Sequence, residues 1–279
     1  MSKLTIGMIT YDDFDGVYFT LQSLRLHHPE AMNDVEFIII DNNPDSNHGK
    51  EVKNLTGWGT GKVQYVGFTE YNSTAVRTKI FEMATTPYVL CLDCHVLLSL
   101  GAVKKLIDFF EAGKDEGNLL QGPMLYDDLK GYATHFDLVW REQMWGIWGT
   151  DERGGHVNNE PFEIPAQGLG LFACRKDSWL GFNPFFRGFG GEEGYIHEKY
   201  RKAGKKTLCL PFLQWMHRFG RPNGIKYPIT LDNKVRNYFI GHLELGMNVS
   251  PIIEHFKPYT PMENLVKLYD EAKRVTRNS

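Results

Sequence analysis

The sequence predicts an α/β protein built on a doubly wound sheet, followed by a helical C-terminal extension. Short apolar or β-branched runs of strand length alternate with helical segments through the first hundred residues. Acidic residues stand at or just after the carboxyl ends of several of these runs, where open α/β sheets bind their ligands. Residues 231–279 then read as mostly helical.

The first strand is LTIGMIT (4–10), followed by the helical GVYFTLQSLRLHH, and the second is VEFIIID (35–41). A polar, turn-rich segment leads to a third strand, KVQYVGF (62–68). In STAVRTKIFEMAT, the residues Val76, Ile80, Met83 and Ala84 recur at helical spacing, and YVLCLD (88–93) is the fourth strand. NLLQGPMLY and YATHFDLVW read as further strands, REQMWGIWGTDERGGHVNNE as a long loop, and IPAQGLGLFACRKDSW as another strand. FRGFGGEEGYIHEKYRKAG is a Gly-rich turn entering a helix, KTLCLP a last core strand, and MENLVKLYDEAKRV an amphipathic helix, basic near its end.

With 279 residues, 42% of them hydrophobic, the chain has enough apolar material for one large core. The start MSKLTIGMITYDDF lacks the pattern of a signal peptide, and the apolar stretch around 88–103 is interrupted by Asp93 and His95. Both features predict a soluble, cytoplasmic protein. Four cysteines do not make a disulfide framework at this length, and the single CxxC of Cys91 and Cys94 reads as two reduced core thiols rather than a zinc site. A net charge of -3 argues against a generally basic nucleic-acid binder, yet residues 199–236 carry six lysines and four arginines against the single acid Asp232. That segment is either a phosphate-binding face or a solvated helix and loop.

YVLCLDCHVLL raises the chemical question, because ionisable groups are costly to bury at the end of a core strand. Asp93 and His95, one residue apart in an extended turn, can face the same side and hold one cation; the mixed oxygen and nitrogen donors favour Mn²⁺ over Ca²⁺, with Zn²⁺ as an alternative, and the cofactor expected is Mn²⁺ (or Mg²⁺). His217, in LQWMHRFGRP after the last core strand, is the best third ligand, and Arg218 and Arg221 beside it would neutralise a diphosphate.

FIIIDNN, YNSTAVRTKIFEMATTPYVLCLDCH, AQGLGLFACRKDSW, FRGFGGEEGYIHEKYRKAGKKTLCLP and MHRF together resemble the GT-A glycosyltransferases, especially family 2 and the polypeptide N-acetylgalactosaminyltransferases. The resemblance covers about residues 4 to 221. It implies a GT-A catalytic domain over 1–230, divided into a nucleotide-binding half (1–98) and an acceptor and metal-completing half (99–230), with 231–279 as the helical extension. It further implies that Thr10, Tyr11 and Asp41 hold the uridine of a UDP-sugar, that Arg77 approaches the nucleotide, and that Asp93, His95 and His217 hold the metal. Glu192 would contact sugar hydroxyls. Glu193 stands where inverting relatives carry an Asp base and the retaining group an Asn; the Asp-x-His motif and the late His give a slight lean to retention.

Trp140, Trp145 and Trp148 would form a lid or acceptor platform. The implied activity is metal-dependent transfer of a hexosyl or N-acetylhexosaminyl group from a UDP-sugar to a hydroxyl. Hydroxymethylated DNA bases are one candidate acceptor through the basic segment. The rivals are a non-catalytic nucleotide-sugar or nucleic-acid binding module, and a nucleotidyltransferase. The last usually opens with an Arg- and Lys-bearing phosphate loop, which GMITYDDFDG lacks.

Overall fold

The computed structural model describes residues 1–56, 63–221 and 224–277. Its strands are β1 (Leu4–Thr10), β2 (Val35–Asp41), β3 (Val63–Gly67), β4 (Tyr88–Asp93), β5 (Val96–Leu98), β6 (Leu119–Gln121) and β7 (Met124–Leu125). They continue with β8 (Tyr132–Ala133), β9 (His135–Arg141), β10 (Met144–Gly149), β11 (Phe162–Glu163), β12 (Leu171–Arg175), β13 (Thr207–Cys209) and β14 (Trp215–His217). Lys62, read as the start of the third strand, and residues 222–223 and 278–279 lie outside the described residues.

Eight strands form one mixed sheet in the order β11-β13-β6-β12-β4-β1-β2-β3. β1 pairs in parallel with both β2 and β4, and β3 extends this half alongside β2. β12 then runs antiparallel to β4, so the second half of the chain is joined to the first through the sheet itself. A four-stranded sheet, β5-β14-β7-β8, and the β9/β10 hairpin stand beside it.

The helices are α1 (Phe14–His27), α2 (Asn47–Thr56), α3 (Thr78–Met83), α4 (Ala102–Glu111), α5 (Glu192–Lys202), α6 (Leu231–Glu244), α7 (Ser250–Phe256) and α8 (Met262–Thr276). The two-residue period of a strand decides which side chains meet which helices. Leu90 and Leu92 join Leu4, Ile6 and Met8 under α1, α2 and α4, whereas Val89 and Cys91 face α3 and α5 to α8 on the other side. A sheet covered on both faces explains why its central strands are near-continuous apolar runs. The C-terminal helices therefore share one core with the sheet's second face. No described helix is long and apolar enough to cross a membrane.

Three local expectations need correction. The polar segment after β2 contains α2, whose buried Val52 and Leu55 make an apolar stripe too short to register as a period; Ser46 Oγ accepts from Gly49 N at its start. The stretch read as a loop from residue 141 begins with a hairpin, in which Trp145 pairs with Trp140 and stacks on it with ring centroids 5.8 Å apart. Gly146, at φ 141°, lies where the register of that hairpin shifts. Finally, the helix read through residues 73–85 is a 3₁₀ turn (Thr74–Arg77) followed by the short α3.

The CxxC thiols lie in different apolar clusters, Cys91 against α3 and Cys94 on the opposite face, and all four cysteines are free and buried. In the basic segment, Lys199 pairs with Glu244, Arg201 with Glu198, Lys206 with Glu163, Arg218 with Asp13 and Arg236 with Glu271. Five of its ten basic side chains are thus matched by acids of the same molecule.

Close packing of α3 on β1 depends on Gly7, where a Cβ would stand 2.1 Å from Ile80 Cγ2. Overpacking of this kind costs about 1–3 kcal/mol. Gly7→Ala should therefore lower the urea midpoint by a corresponding amount at unchanged m-value, and an unmoved midpoint would mean that α3 does not rest on the strand this tightly.

Candidate active site

Parallel register brings the strand ends together. Thr10 lies opposite Asp41, and Ile9 opposite Asp93, so both carboxylates stand at one edge of the sheet. The chain leaves β4 at Asp93, turns through Cys94 and His95, and re-enters β5. Because β14 runs antiparallel to β5 with His217 opposite Val96, a residue more than a hundred positions away is delivered beside His95.

His95 Nε2 and His217 Nε2 are 3.1 Å apart, and His217 Nε2 is 3.5 Å from Asp93 Oδ2. One ligand atom from each of Asp93, His95 and His217 lies within 4.8 Å of the others. Two imidazole nitrogens at this separation need a proton or a cation between them, and Arg221 already brings positive charge there by donating from Nη2 to His95 Nε2 at 2.8 Å. One carboxylate oxygen and two imidazole nitrogens form a donor set suited to Mn²⁺ or Zn²⁺.

Arg77, only 3% exposed, donates from Nη2 to Asp93 Oδ1 at 2.7 Å, while its Nε and Nη1 have no hydrogen-bond partner. Burial pushes the Asp93 carboxyl up, but Arg77, the His217 hydrogen bond and the charge of His95 outweigh it and hold the group well below the usual carboxylate range. For His95, burial is the largest influence and lowers its basicity, opposed by the hydrogen bond to Asp13.

Asp93, His95 and Arg77 line an open cleft together with Thr10, Tyr11, Asn42, Arg221 and Tyr227, whereas His217, Glu192 and Glu193 are not among its lining residues. Thr10 Oγ1 and Thr74 Oγ1, both on cleft-lining residues, are buried without partners, as are the two Arg77 nitrogens. The cleft thus has unmet hydrogen-bonding capacity beside its cationic groups.

Glu192 and Glu193 open α5 after the turn Gly190-Gly191, which has φ of 107° and 92°. A Cβ on Gly190 would stand 2.7 Å from Lys234 Cγ, so glycine serves both the left-handed backbone and the close approach of α6. Glu192 Oε2 accepts from Gly190 N at 2.8 Å. Burial raises the pKa of both carboxyls; for Glu192 the neighbouring Glu193 adds to this, while Arg77 opposes the rise in each.

The other expected site residues are placed differently from one another. Asp41 is fully buried, accepts from Tyr65 Oη at 2.9 Å and from Asn43 N, and does not line the cleft, whereas its neighbour Asn42 does. Arg218 points at Asp13. Trp145 lies against Gly194 at the start of α5, Trp140 between Trp145 and His255, and Trp148 against Phe136; none of the three lines the cleft. Sequence reasoning gave no role to Tyr227 or Phe189, whose rings meet at 5.6 Å in the cleft wall, because a lone aromatic in a Gly-rich stretch carries no spacing signal.

Comparison with known proteins fits this geometry. A search of curated protein sequences finds no match. The solved structure of GalNAc-T7 with UDP, GalNAc and Mn²⁺ superimposes with a TM-score of 0.70 at 18% identity, covering 98% of this chain and 55% of that one. The chain thus spans about half the length of that relative and shares its mixed α/β architecture, the GT-A fold. Residues 5–173 match glycosyl transferase family 2. That match takes in Asp93 and His95 and more than half of the chain, which therefore belongs to glycosyl transferase family 2.

Proposed function

We propose that this family 2 glycosyltransferase moves a hexosyl or N-acetylhexosaminyl group from a UDP-sugar to a hydroxyl acceptor, and that it depends on Mn²⁺ (or Mg²⁺) held by Asp93, His95 and His217. The convergence of those three side chains beside a buried, half-unpartnered Arg77 carries the proposal. The UDP and Mn²⁺ bound to GalNAc-T7 support it. A bound divalent ion would offset the charge of the donor diphosphate and of the UDP that departs.

The chain's own residues supply the rest. Arg77 and Arg221 meet the diphosphate, with Arg77 prepaired to Asp93 so that it needs no reorganisation when the donor arrives. Thr10 and Tyr11 bound the uridine end of the cleft; we assign the contact expected of Asp41 to Asn42, since Tyr65 engages the aspartate. Glu192, tied to the Gly190 amide, holds a fixed place from which to contact sugar hydroxyls. Glu193 is the freer carboxylate, and we assign it to stabilising the developing positive charge on the sugar. Retention is favoured on the strength of the Asp-x-His pattern with its late His ligand.

Three results test this. Incubation with UDP-glucose, UDP-galactose and their N-acetyl forms should release UDP slowly from one donor with Mn²⁺ and not in chelator; no release together with no UDP binding would point to another nucleotide or to the binding-module reading. Glu193→Gln should leave UDP affinity within a few-fold while lowering turnover by about 10²-fold or more, and full turnover would remove Glu193 from the chemistry. Arg77→Met leaves the part-buried Asp93 without its arginine partner, a change that costs at most about 3–5 kcal/mol, the figure for a fully buried pair. Chemical denaturation should therefore show a loss in chelator that Mn²⁺ partly restores, whereas equal losses in both conditions would mean that Asp93 does not face the metal.

A further inference from the structure

Asp13 lies outside the three ligands proposed above, yet more contacts converge on its carboxylate than local structure requires. Its Oδ1 accepts from Gly16 N at 3.0 Å, capping α1. Its Oδ2 is 2.9 Å from His95 Nδ1, and Arg218 Nη2 reaches both oxygens, at 2.8 and 2.9 Å. The backbone makes room for this approach: Asp12 adopts φ 58°, and a Cβ on Gly16 would come within 2.7 Å of Asp13 Oδ2. Capping alone would be met by one oxygen and would not need His95 or Arg218.

The contacts of His95 with Arg221 and Asp13 determine where its proton lies. A guanidinium has donors and no acceptor, so Arg221 Nη2 at 2.8 Å requires Nε2 to be the accepting nitrogen. A neutral imidazole has a single N–H, which is then on Nδ1 and donates to Asp13. Asp13 is not itself a ligand of the same cation, because it meets the ring nitrogen opposite the one that faces His217.

We propose that Asp13 is a positioning residue for the metal site: it fixes His95 as the Nδ1–H tautomer and turns the Nε2 lone pair towards Asp93 and His217. The proposal rests on the metal reading given above. A carboxylate behind a ligating imidazole fixes the ring and raises the basicity of the coordinating nitrogen. Arg218 in turn keeps the Asp13 carboxylate in register, so this arginine serves the site through Asp13. Three separated segments, residues 12–16, 93–95 and 217–221, are thereby locked around one imidazole.

The test combines Mn²⁺ titration, with free ion counted by electron paramagnetic resonance and no donor present, and ¹⁵N spectra of the His95 ring in the chelated protein. Asp13→Ala should weaken Mn²⁺ binding about 10–100-fold. Asp13→Asn, whose amide oxygen still accepts from Nδ1–H and still caps α1, should fall between Ala and the parent. The parent and Arg221→Ala should both show His95 as Nδ1–H, and Asp13→Ala should lose that single tautomer.

Affinities within twofold of the parent in both Asp13 variants would overturn the proposal, as would an Nε2–H ring in the parent. If the Ala variant does not fold, the ring spectrum of the parent decides, and an Nε2–H ring there overturns the proposal. A parent that binds no Mn²⁺ counts against the metal reading instead, and the ¹⁵N spectra then decide the role of Asp13 by themselves.

Discussion

The part-buried ion pair between Arg77 and Asp93 is the interaction on which the site depends. Asp93 ends a strand in the middle of the sheet, and Arg77 is almost wholly buried at the junction of a 3₁₀ turn with α3. The Arg77 charge would be costly there alone, whereas Asp93 is part-exposed and also faces His217. Paired at 2.7 Å, they fix the segment carrying Arg77 across the strand ends and leave two of its nitrogens unpartnered in the cleft wall. The pair answers the question posed by YVLCLDCHVLL: a carboxylate closes a core strand because a guanidinium from the next layer meets it.

The remaining charges follow the same logic at longer range. Asp13 is held by Arg218 and His95, and Arg221 by His95, so cationic and anionic side chains alternate along the cleft edge. None of these contacts is local in sequence. They exist because β14 returns antiparallel to β5 and because the parallel pairing of β1 with β4 places the turn after β1 beside the turn after β4. The fold's contribution to function is therefore registration: it sets three loops against each other, within hydrogen-bond distance.

Much of this was legible from residue pattern. The four strands of the first half, the helical character of residues 231–276, and the grouping of Asp93, His95 and His217 all emerged from apolar runs and the polar residues that end them. Helix α2 was missed for its short apolar stripe, whereas three other places were not legible because each depends on a partner far away in the chain. The hairpin carrying Trp145 looks like a loop because its two strands bury their rings against Tyr238, His242 and each other rather than in a separate alternating core. Asp41 ends a strand just as Asp93 does, but Tyr65 from β3 takes its carboxylate. Part of the charge of residues 199–236 is met by Glu244, Glu163, Asp13 and Glu271, all outside the segment, which its own composition could not show.

The central claim is that one divalent cation sits between Asp93, His95 and His217. Anomalous diffraction at the manganese edge, from crystals grown with Mn²⁺ and UDP, tests it most directly. A single strong peak bonded to Asp93 Oδ, His95 Nε2 and His217 Nε2, with Arg221 displaced from the imidazole, is the predicted result. UDP bound in the cleft with no anomalous peak, or a peak held by other residues, would contradict the account.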